Sequence, residues 1–183
     1  MREPCTPPSR SLTPPARLAF CPGMDVLPAY LEPFLGEYPR LREICPGEEN
    51  RGPLVAKIRD LTAEELSAHR PVTCPAALER VRGGLFYAVD ALSPAHRIFQ
   101  DDESDLGSYW HGMMHRREGD FGNACYWFRR AGRIEPLGKM PGFDPVKFTE
   151  RCSRQREPAP DLLALQLQEW TVLITHCLSL AVR

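Results

Sequence analysis

The stretch "HGMMHRREGDFGNACYWFRRAG", from His111 to Gly132, decides the fold of this 183-residue chain. Large apolar residues recur at three- and four-residue steps from Leu106 through Tyr109 to Met113, and Ala124 and Phe128 follow the same steps after the centre of the stretch, which is the spacing of amphipathic helices. A Glu-Gly-Asp sequence at 118–120 separates the two halves and is typical of a turn. The stretch therefore predicts two helices, over 106–117 and 121–132, joined by a tight turn.

Helical periodicity continues through most of the chain on both sides of this hairpin. Apolar residues follow helical steps over 75–92 and again over 161–181, and no run alternates as a strand would. Gly83 and Gly84 interrupt the first of these segments, so either a neighbour approaches closely there or the helix breaks. The sequence predicts an all-α fold, a single-domain helical bundle over 24–183.

The first 23 residues have a different composition from the rest. They contain Pro4, Pro7, Pro8, Pro14, Pro15 and Pro22 and lack an apolar stripe. Such a segment buries too little apolar surface to offset the entropy of ordering it. We expect residues 1–23 to form a disordered, proline-rich tail, and the segment lacks the apolar core of a secretory signal.

Charge and cysteine usage exclude several classes of protein. The formal net charge is −1, which gives no reason to expect binding to nucleic acid or to an anionic membrane. The seven cysteines are scattered without a CxxC pair, so they indicate free thiols in a cytoplasmic protein rather than a disulfide framework. The most apolar run, 170–182, is too short to cross a bilayer.

Two resemblances concern the region of the hairpin. Gly112, Ala124, Phe128, Ala131 and Pro136 fall at spacings similar to those of a single tetratricopeptide or Sel1-like helical hairpin. The wider block "GSYWHGMMHRREGDFGNACYWFRR" resembles one shared by an uncharacterised family of bacterial and fungal proteins. In that family the block follows an Asp…His…Gln segment and precedes a Glu-Trp pair, and it implies no particular activity. The corresponding residues here are Asp90, His96, Gln100, Glu169 and Trp170.

The two histidines of the quoted stretch are candidate metal ligands. His111 and His115 are one helical turn apart, so both imidazoles can face one divalent transition-metal ion. A further ligand would come from His96, Asp90, Glu118 or Asp120. In the alternative interpretation, hydrogen bonds to backbone or carboxylate groups satisfy both rings.

Arg117 lies in the centre of an apolar helix stripe. A buried arginine needs a carboxylate or a bound anion as its partner. If Asp90 or Asp120 pairs with it, its role is structural, which is the interpretation that we favour. If neither does, its guanidinium is available to a ligand.

These residues together predict one polar pocket at the hairpin, which binds a small anionic ligand or a metal. Histidine as base or ligand, arginine as anion clamp and Glu118 as proton shuttle would also suit catalysis there. The predicted catalytic residues are His96, His111, His115 and Glu118. The predicted ligand-binding residues are Asp90, Gln100, Trp110, Arg116, Arg117, Asp120, Asn123, Tyr126 and Arg130.

A different class of function is a tetratricopeptide-like interaction module without catalysis. Its peptide groove would be lined by Tyr109, Trp110, Met113 and Arg117. The two interpretations differ in the shape they require, since an enzyme site draws side chains from several helices into a pocket, whereas a module presents an open face.

Overall fold

The computed structural model describes residues 29–35, 41–155 and 159–183, so the proline-rich segment 1–23 lies outside it. The all-α prediction is confirmed. Within the described ranges there is no strand, only one isolated antiparallel bridge between Val72 and Val182. The helices are α1 (Glu32–Leu35), α2 (Pro53–Asp60), α3 (Ala63–Leu66), α4 (Pro75–Ala88), α5 (Leu92–Gln100), α6 (Asp105–Arg117), α7 (Phe121–Ala131), α8 (Pro145–Arg154) and α9 (Pro160–Ala181), with short 3-10 turns at Ala29–Leu31 and Glu135–Lys139.

Side-chain caps fix both helices of the predicted hairpin. The Ser104 hydroxyl accepts a hydrogen bond from the backbone N–H of Gly107 at the start of α6, and the Asp120 carboxylate accepts one from Asn123 at the start of α7. Each cap satisfies a backbone donor that the helix itself leaves unpaired. Between the helices, Gly119 adopts φ +81°, a conformation that glycine reaches without strain. The hairpin is therefore specified locally.

Helix α6 is the centre of the fold. It packs against α5 and α7, while α4 packs against α5 and α9. Every residue of α6 from Gly107 to Arg117 is buried. A Cβ atom at Gly112 would lie 2.9 Å from the Phe128 ring, so this glycine permits the close approach of α7. The polar residues of α6 must consequently find their partners inside the protein.

The glycine pair in α4 marks a close contact and not a break. The helix runs without interruption through Gly83, where an added Cβ would come within 2.6 Å of the Phe99 ring. It ends at Ala88, earlier than the predicted residue 92. Asp90 adopts φ +60° immediately afterwards, and the chain turns there into α5. None of the helices in the described part of the chain is long and apolar enough to cross a membrane.

Candidate functional site

Three histidines converge where α5 meets the last turns of α6. His111 and His115 lie one turn apart on α6, with ring centroids 4.7 Å apart, and His96 comes from α5. The His96 ring lies 4.8 Å from the His111 ring and 5.1 Å from the His115 ring. One ring nitrogen from each histidine lies within 4.8 Å of the other two. We call these three residues the histidine cluster.

Glu118, the residue that follows α6, bridges two members of the cluster. Its Oε1 lies 2.8 Å from Nδ1 of His96 and its Oε2 lies 3.1 Å from Nδ1 of His115. Hydrogen bonds from His115 and His96 lower the pKa of Glu118 to about 2, and the bond to Glu118 raises the pKa of His96. An ionised carboxylate can only accept hydrogen bonds. Both Nδ1 atoms therefore carry a proton that is donated to Glu118, and it is the Nε2 atom of each ring that holds an electron pair when the ring has no second proton.

His111 is the most enclosed member of the cluster. Its Nε2 lies 2.9 Å from Nε2 of His96, and its buried Nδ1 has no hydrogen-bond partner among the described residues. The indole of Trp127 stacks on its ring at a centroid distance of 4.2 Å. Burial and the nearby rings of His115 and His96 lower the pKa of His111 to about 4. The imidazole is thus neutral at physiological pH.

Helix α7 supplies a further polar contact. The Asn123 amide nitrogen lies 3.1 Å from Nε2 of His115. Because Glu118 holds the proton of that ring on Nδ1, the amide donates to the free Nε2. The cluster is therefore built by α5, α6 and α7 together.

Arg116, which the sequence predicts to bind a ligand, lies inside the protein. Its side chain is completely buried and forms an ion pair with Glu169 of α9, which also accepts a 2.6 Å hydrogen bond from the Tyr109 hydroxyl. The guanidinium carbon lies 4.5 Å from the centre of the Phe148 ring, and Nε makes no hydrogen bond within the described residues. The arginine therefore holds α6 to α9 and is out of reach of a ligand.

Arg117 likewise has a structural role. It forms a buried ion pair with Asp90, and its guanidinium lies 5.0 Å from the centre of the Tyr87 ring. Of the two roles that the sequence left open, pairing with a protein carboxylate is the one observed. Neither Asp90 nor Arg117 is therefore exposed as a ligand-binding group, and the pair fastens the α4–α5 corner to α6.

The remaining predicted residues lie in different places. Trp110, another predicted ligand-binding residue, is completely buried and stacks on Phe99. Gln100 is exposed, and the Asp120 carboxylate caps α7. Tyr126 and Arg130 are exposed on α7 beside Trp127, with the Arg130 guanidinium 5.3 Å from the indole centroid.

The residues predicted to line a peptide groove lie inside the described part of the protein. These four residues, Tyr109, Trp110, Met113 and Arg117, are at most 1 % exposed. A cleft of about 570 Å³ does lie between α8, α9 and the loop before α8, lined in part by Met140, Phe143 and Lys147. It contains no member of the histidine cluster, so the polar chemistry and this cleft are separate features.

Two residues that contact the predicted site residues, Trp127 and Glu169, were not predicted from the sequence to have a role there. Trp127 follows Asn123 by four residues, so the i, i+4 spacing places both on one face of α7. Glu169 is the one acidic residue between Leu162 and Ala181, in a largely apolar stretch, which indicates a buried charge with a partner. Both signals are visible only after the neighbouring helices are assigned.

Comparison of the chain with protein-family models, with curated proteins and with solved structures finds no match. The geometry of the histidine cluster therefore carries the functional argument.

Proposed function

We propose that this protein binds one divalent transition-metal ion through His96, His111 and His115. The observation that carries the proposal is the convergence of three imidazoles, each with a ligand nitrogen within 4.8 Å of the others. Imidazole nitrogen is a favoured ligand of zinc, copper, iron and nickel. An ordinary core histidine needs one or two hydrogen-bond partners and gives no reason for three rings to meet.

The spacing of the rings supports this proposal. Zinc–nitrogen bonds of about 2.0–2.1 Å in a tetrahedral site separate the ligand nitrogens by about 3.4 Å. The Nε2 atoms of His96 and His111 are 2.9 Å apart, and His115 lies one helical turn after His111 on the same face of α6. Small side-chain rotations would place all three nitrogens around one ion without moving a helix.

The positions of the protons on the histidine rings also support the proposed metal site. A metal requires neutral imidazoles, and the low pKa of His111, about 4, keeps that ring neutral. Histidine ligands usually donate their second N–H to a carboxylate, which fixes the tautomer and the ring orientation. Glu118 accepts from Nδ1 of both His96 and His115, so an incoming ion would meet the Nε2 atom of each ring once it displaces the present contacts with His111 and Asn123.

Three protein ligands leave a metal position open to a small molecule. The cluster reaches solvent on one side, since the side chains of His96 and Glu118 are 26 % and 31 % exposed, whereas that of His115 is 11 % exposed. A metal with an open position acts as a Lewis acid and lowers the pKa of bound water to about 7. The protein itself would contribute the orientation of the rings and the Glu118 carboxylate beside them.

Metal analysis of the purified protein tests the proposal. Protein prepared without chelator should contain about one transition-metal ion per chain, or bind one zinc ion in a calorimetric titration. His111→Ala should abolish binding, and Glu118→Gln should weaken it by about 10- to 100-fold because the ligands lose their orienting carboxylate. His69→Ala is the matched control, since His69 is exposed and lies outside the cluster.

The opposite result would be equally clear. Metal-free protein that shows no binding of zinc, iron or manganese would refute the metal site. The cluster would then be a hydrogen-bonded link, in which the Nε2 atoms of His96 and His111 share one proton across 2.9 Å. In that case His111→Ala should lower the free energy of unfolding by the same amount with and without chelator.

A further inference from the structure

A short irregular segment before α2 ties together the two helices that supply the histidine cluster. At its beginning, the Cys45 thiol donates a hydrogen bond of 3.4 Å to the carbonyl oxygen of Arg116, near the end of α6. At its end, the Asn50 side-chain amide donates a 2.9 Å hydrogen bond to the carbonyl of Val89, in the turn that leads to α5. We call residues 45–50 the strap.

Glu49 of the strap holds the beginning of α5. Its Oε1 accepts a 2.6 Å hydrogen bond from the backbone N–H of Ser93, and its Oε2 accepts one of 3.0 Å from the Ser93 hydroxyl. The first N–H groups of a helix have no partner within it, and α5 has no side-chain cap of its own. The carboxylate therefore caps α5 from outside, where its negative charge also suits the positive end of the helix dipole.

The surroundings of Glu49 indicate that this contact is specific. Its side chain is only 21 % exposed, and it pairs at 3.6 Å with Arg51, whose own side chain is 85 % exposed. A carboxylate this far removed from water needs hydrogen-bond donors, and Ser93 provides two of them. The neighbouring Glu48, in contrast, is exposed.

His96 lies midway between two attachments of α5. Ser93 lies three residues before it, and Phe99 lies three residues after it and stacks on Trp110 of α6 with ring centroids 5.0 Å apart. Because α5 is a single helix of nine residues, the place of His96 relative to α6 depends on both attachments. The other two members of the histidine cluster belong to α6 itself and do not depend on this packing.

We propose that Glu49 is a positioning residue of the metal site, which sets the place of His96 in the histidine cluster and thereby the metal affinity. Without this carboxylate, α5 keeps its attachment at Phe99 and pivots there, which moves the His96 ring from its place 2.9 Å from Nε2 of His111. Metal sites require their ligands to be held to within about 0.5 Å, so a small pivot weakens binding. This inference rests on the proposed metal-binding function.

Zinc titration of the full chain and of variants at Glu49 tests the proposal. Glu49→Ala should weaken zinc binding by about 10-fold, the lower end of the range for groups that orient metal ligands. Glu49→Gln keeps an oxygen that can accept from the Ser93 N–H, so it should retain most of the affinity. Glu48→Ala is the matched control and should bind zinc as the wild type does, because this neighbouring glutamate is exposed.

A second measurement needs no metal. In the metal-free protein, the imidazole nitrogen resonances of His96 report its hydrogen bond to Glu118, since Nδ1 of the ring lies 2.8 Å from that carboxylate. They should shift in Glu49→Ala but not in Glu49→Gln or Glu48→Ala, and those of the exposed His69 should stay unchanged in all three. A cap that only stabilises α5 would lower the free energy of unfolding and leave the His96 resonances in place.

The outcomes separate this inference from the function on which it rests. Wild-type protein that binds no zinc would refute the metal site, and the His96 resonances would then decide by themselves whether Glu49 positions that ring. An unchanged zinc affinity in Glu49→Ala would overturn the inference and leave the metal site intact. Equal losses in Glu49→Ala and Glu49→Gln, or in Glu48→Ala as well, would show an effect of charge and not of position, and would also overturn it.

Discussion

Three consecutive residues at the end of α6 face three different parts of the molecule. His115 points to His96 and Glu118, Arg116 to Glu169 on α9, and Arg117 to Asp90 at the α4–α5 corner. The two arginines are inaccessible, and protein carboxylates neutralise their charges. The histidine cluster is partly open to solvent, and one ring nitrogen of each histidine lies within 4.8 Å of the other two.

Residues within a single helical turn of α6 should therefore have different roles, with the two arginines stabilising the fold and the histidine cluster serving the proposed metal binding. A buried charge without its partner is costly, so the arginine pairs make the fold depend on Glu169 and Asp90. Neutral imidazoles cost less to bury and keep donor atoms that a metal can use. Substitutions in the two regions should therefore have different consequences: loss of stability for the arginines, and loss of ligand binding for the histidines.

The largest effect is expected for Arg116→Met. This change leaves the completely buried Glu169 carboxylate without its cation, which should lower the free energy of unfolding by about 3–5 kcal/mol. Chemical denaturation measures the change. The double variant Arg116→Met, Glu169→Gln is the control and should regain most of the loss. A single variant within about 1 kcal/mol of the wild type would contradict the structural role.

Arg117→Met should cost somewhat less, about 3 kcal/mol, at the lower end of the same range. The Asp90 side chain is 13 % exposed, so water can partly solvate the abandoned carboxylate. Asp90→Asn in the same chain should restore stability, because it removes the buried negative charge. Asparagine also tolerates the positive φ of this position. A cost in the single variant equal to that of Arg116→Met, with no recovery in the double variant, would show that packing and not charge dominates here.

The sequence alone was sufficient for most of the fold. Helical periodicity is a local signal, and it predicted α6, α7 and α9 to within one or two residues at each end. The end of α4 was the exception. Asp90 adopts a left-handed conformation there and pairs with Arg117. Because this turn depends on a residue 27 positions away, no local sequence pattern predicts it.

The site was predictable only in part, for the same reason. His111, His115 and Glu118 belong to one helix end, so their spacing alone brings them together. His96 was identified as a candidate, but its place in the cluster depends on how α5 packs on α6. Arg116 illustrates the limit, because its partner Glu169 lies on another helix and only the tertiary fold shows that the pair is internal.

Metal binding should affect stability through the histidine cluster alone. At a free zinc concentration of 100 times Kd, the free energy of unfolding should rise by about 2.7 kcal/mol, because the ion binds the folded chain. His111→Ala should abolish this gain, and the exposed His69→Ala should retain it. A gain that survives in His111→Ala would place the stabilising ion elsewhere in the molecule and would break the contrast between the two regions.

In the metal-free protein, the histidine cluster should make the free energy of unfolding depend on pH. The pKa of His111 is about 4 in the folded state, against 6.5 for an unperturbed ring, because the ring is buried. Between these values the unfolded chain binds a proton that the folded chain does not, so stability should fall as the pH drops from 6.5 to 4. Denaturation at a series of pH values should show this slope, and His111→Gln should reduce it.

His96 should contribute to the pH dependence of stability with the opposite sign to His111. The pKa of His96 is raised by its hydrogen bond to Glu118, so its stabilising contribution is present below pH 6.5 and lost as the pH rises through the folded-state pKa. His96→Gln should therefore remove a loss of stability on the alkaline side. His69→Gln should reproduce the wild-type profile. Parallel profiles for wild type and His111→Gln would contradict the enclosure of the His111 ring.

The smallest effect is expected for the substitution of Asn123. It tests whether the hydrogen bond from this amide competes with the metal or supports it. The Asn123 amide donates to Nε2 of His115, the same electron pair that a metal would use. An incoming ion must displace this hydrogen bond, whose net contribution is about 0.5–1.5 kcal/mol. Asn123→Ala should therefore tighten zinc binding by roughly two- to tenfold. His69→Ala, at an exposed position outside the cluster, should leave the affinity unchanged. If Asn123→Ala weakens zinc binding instead, the amide supports the site as an orienting group, and its contact with His115 does not compete with the ion.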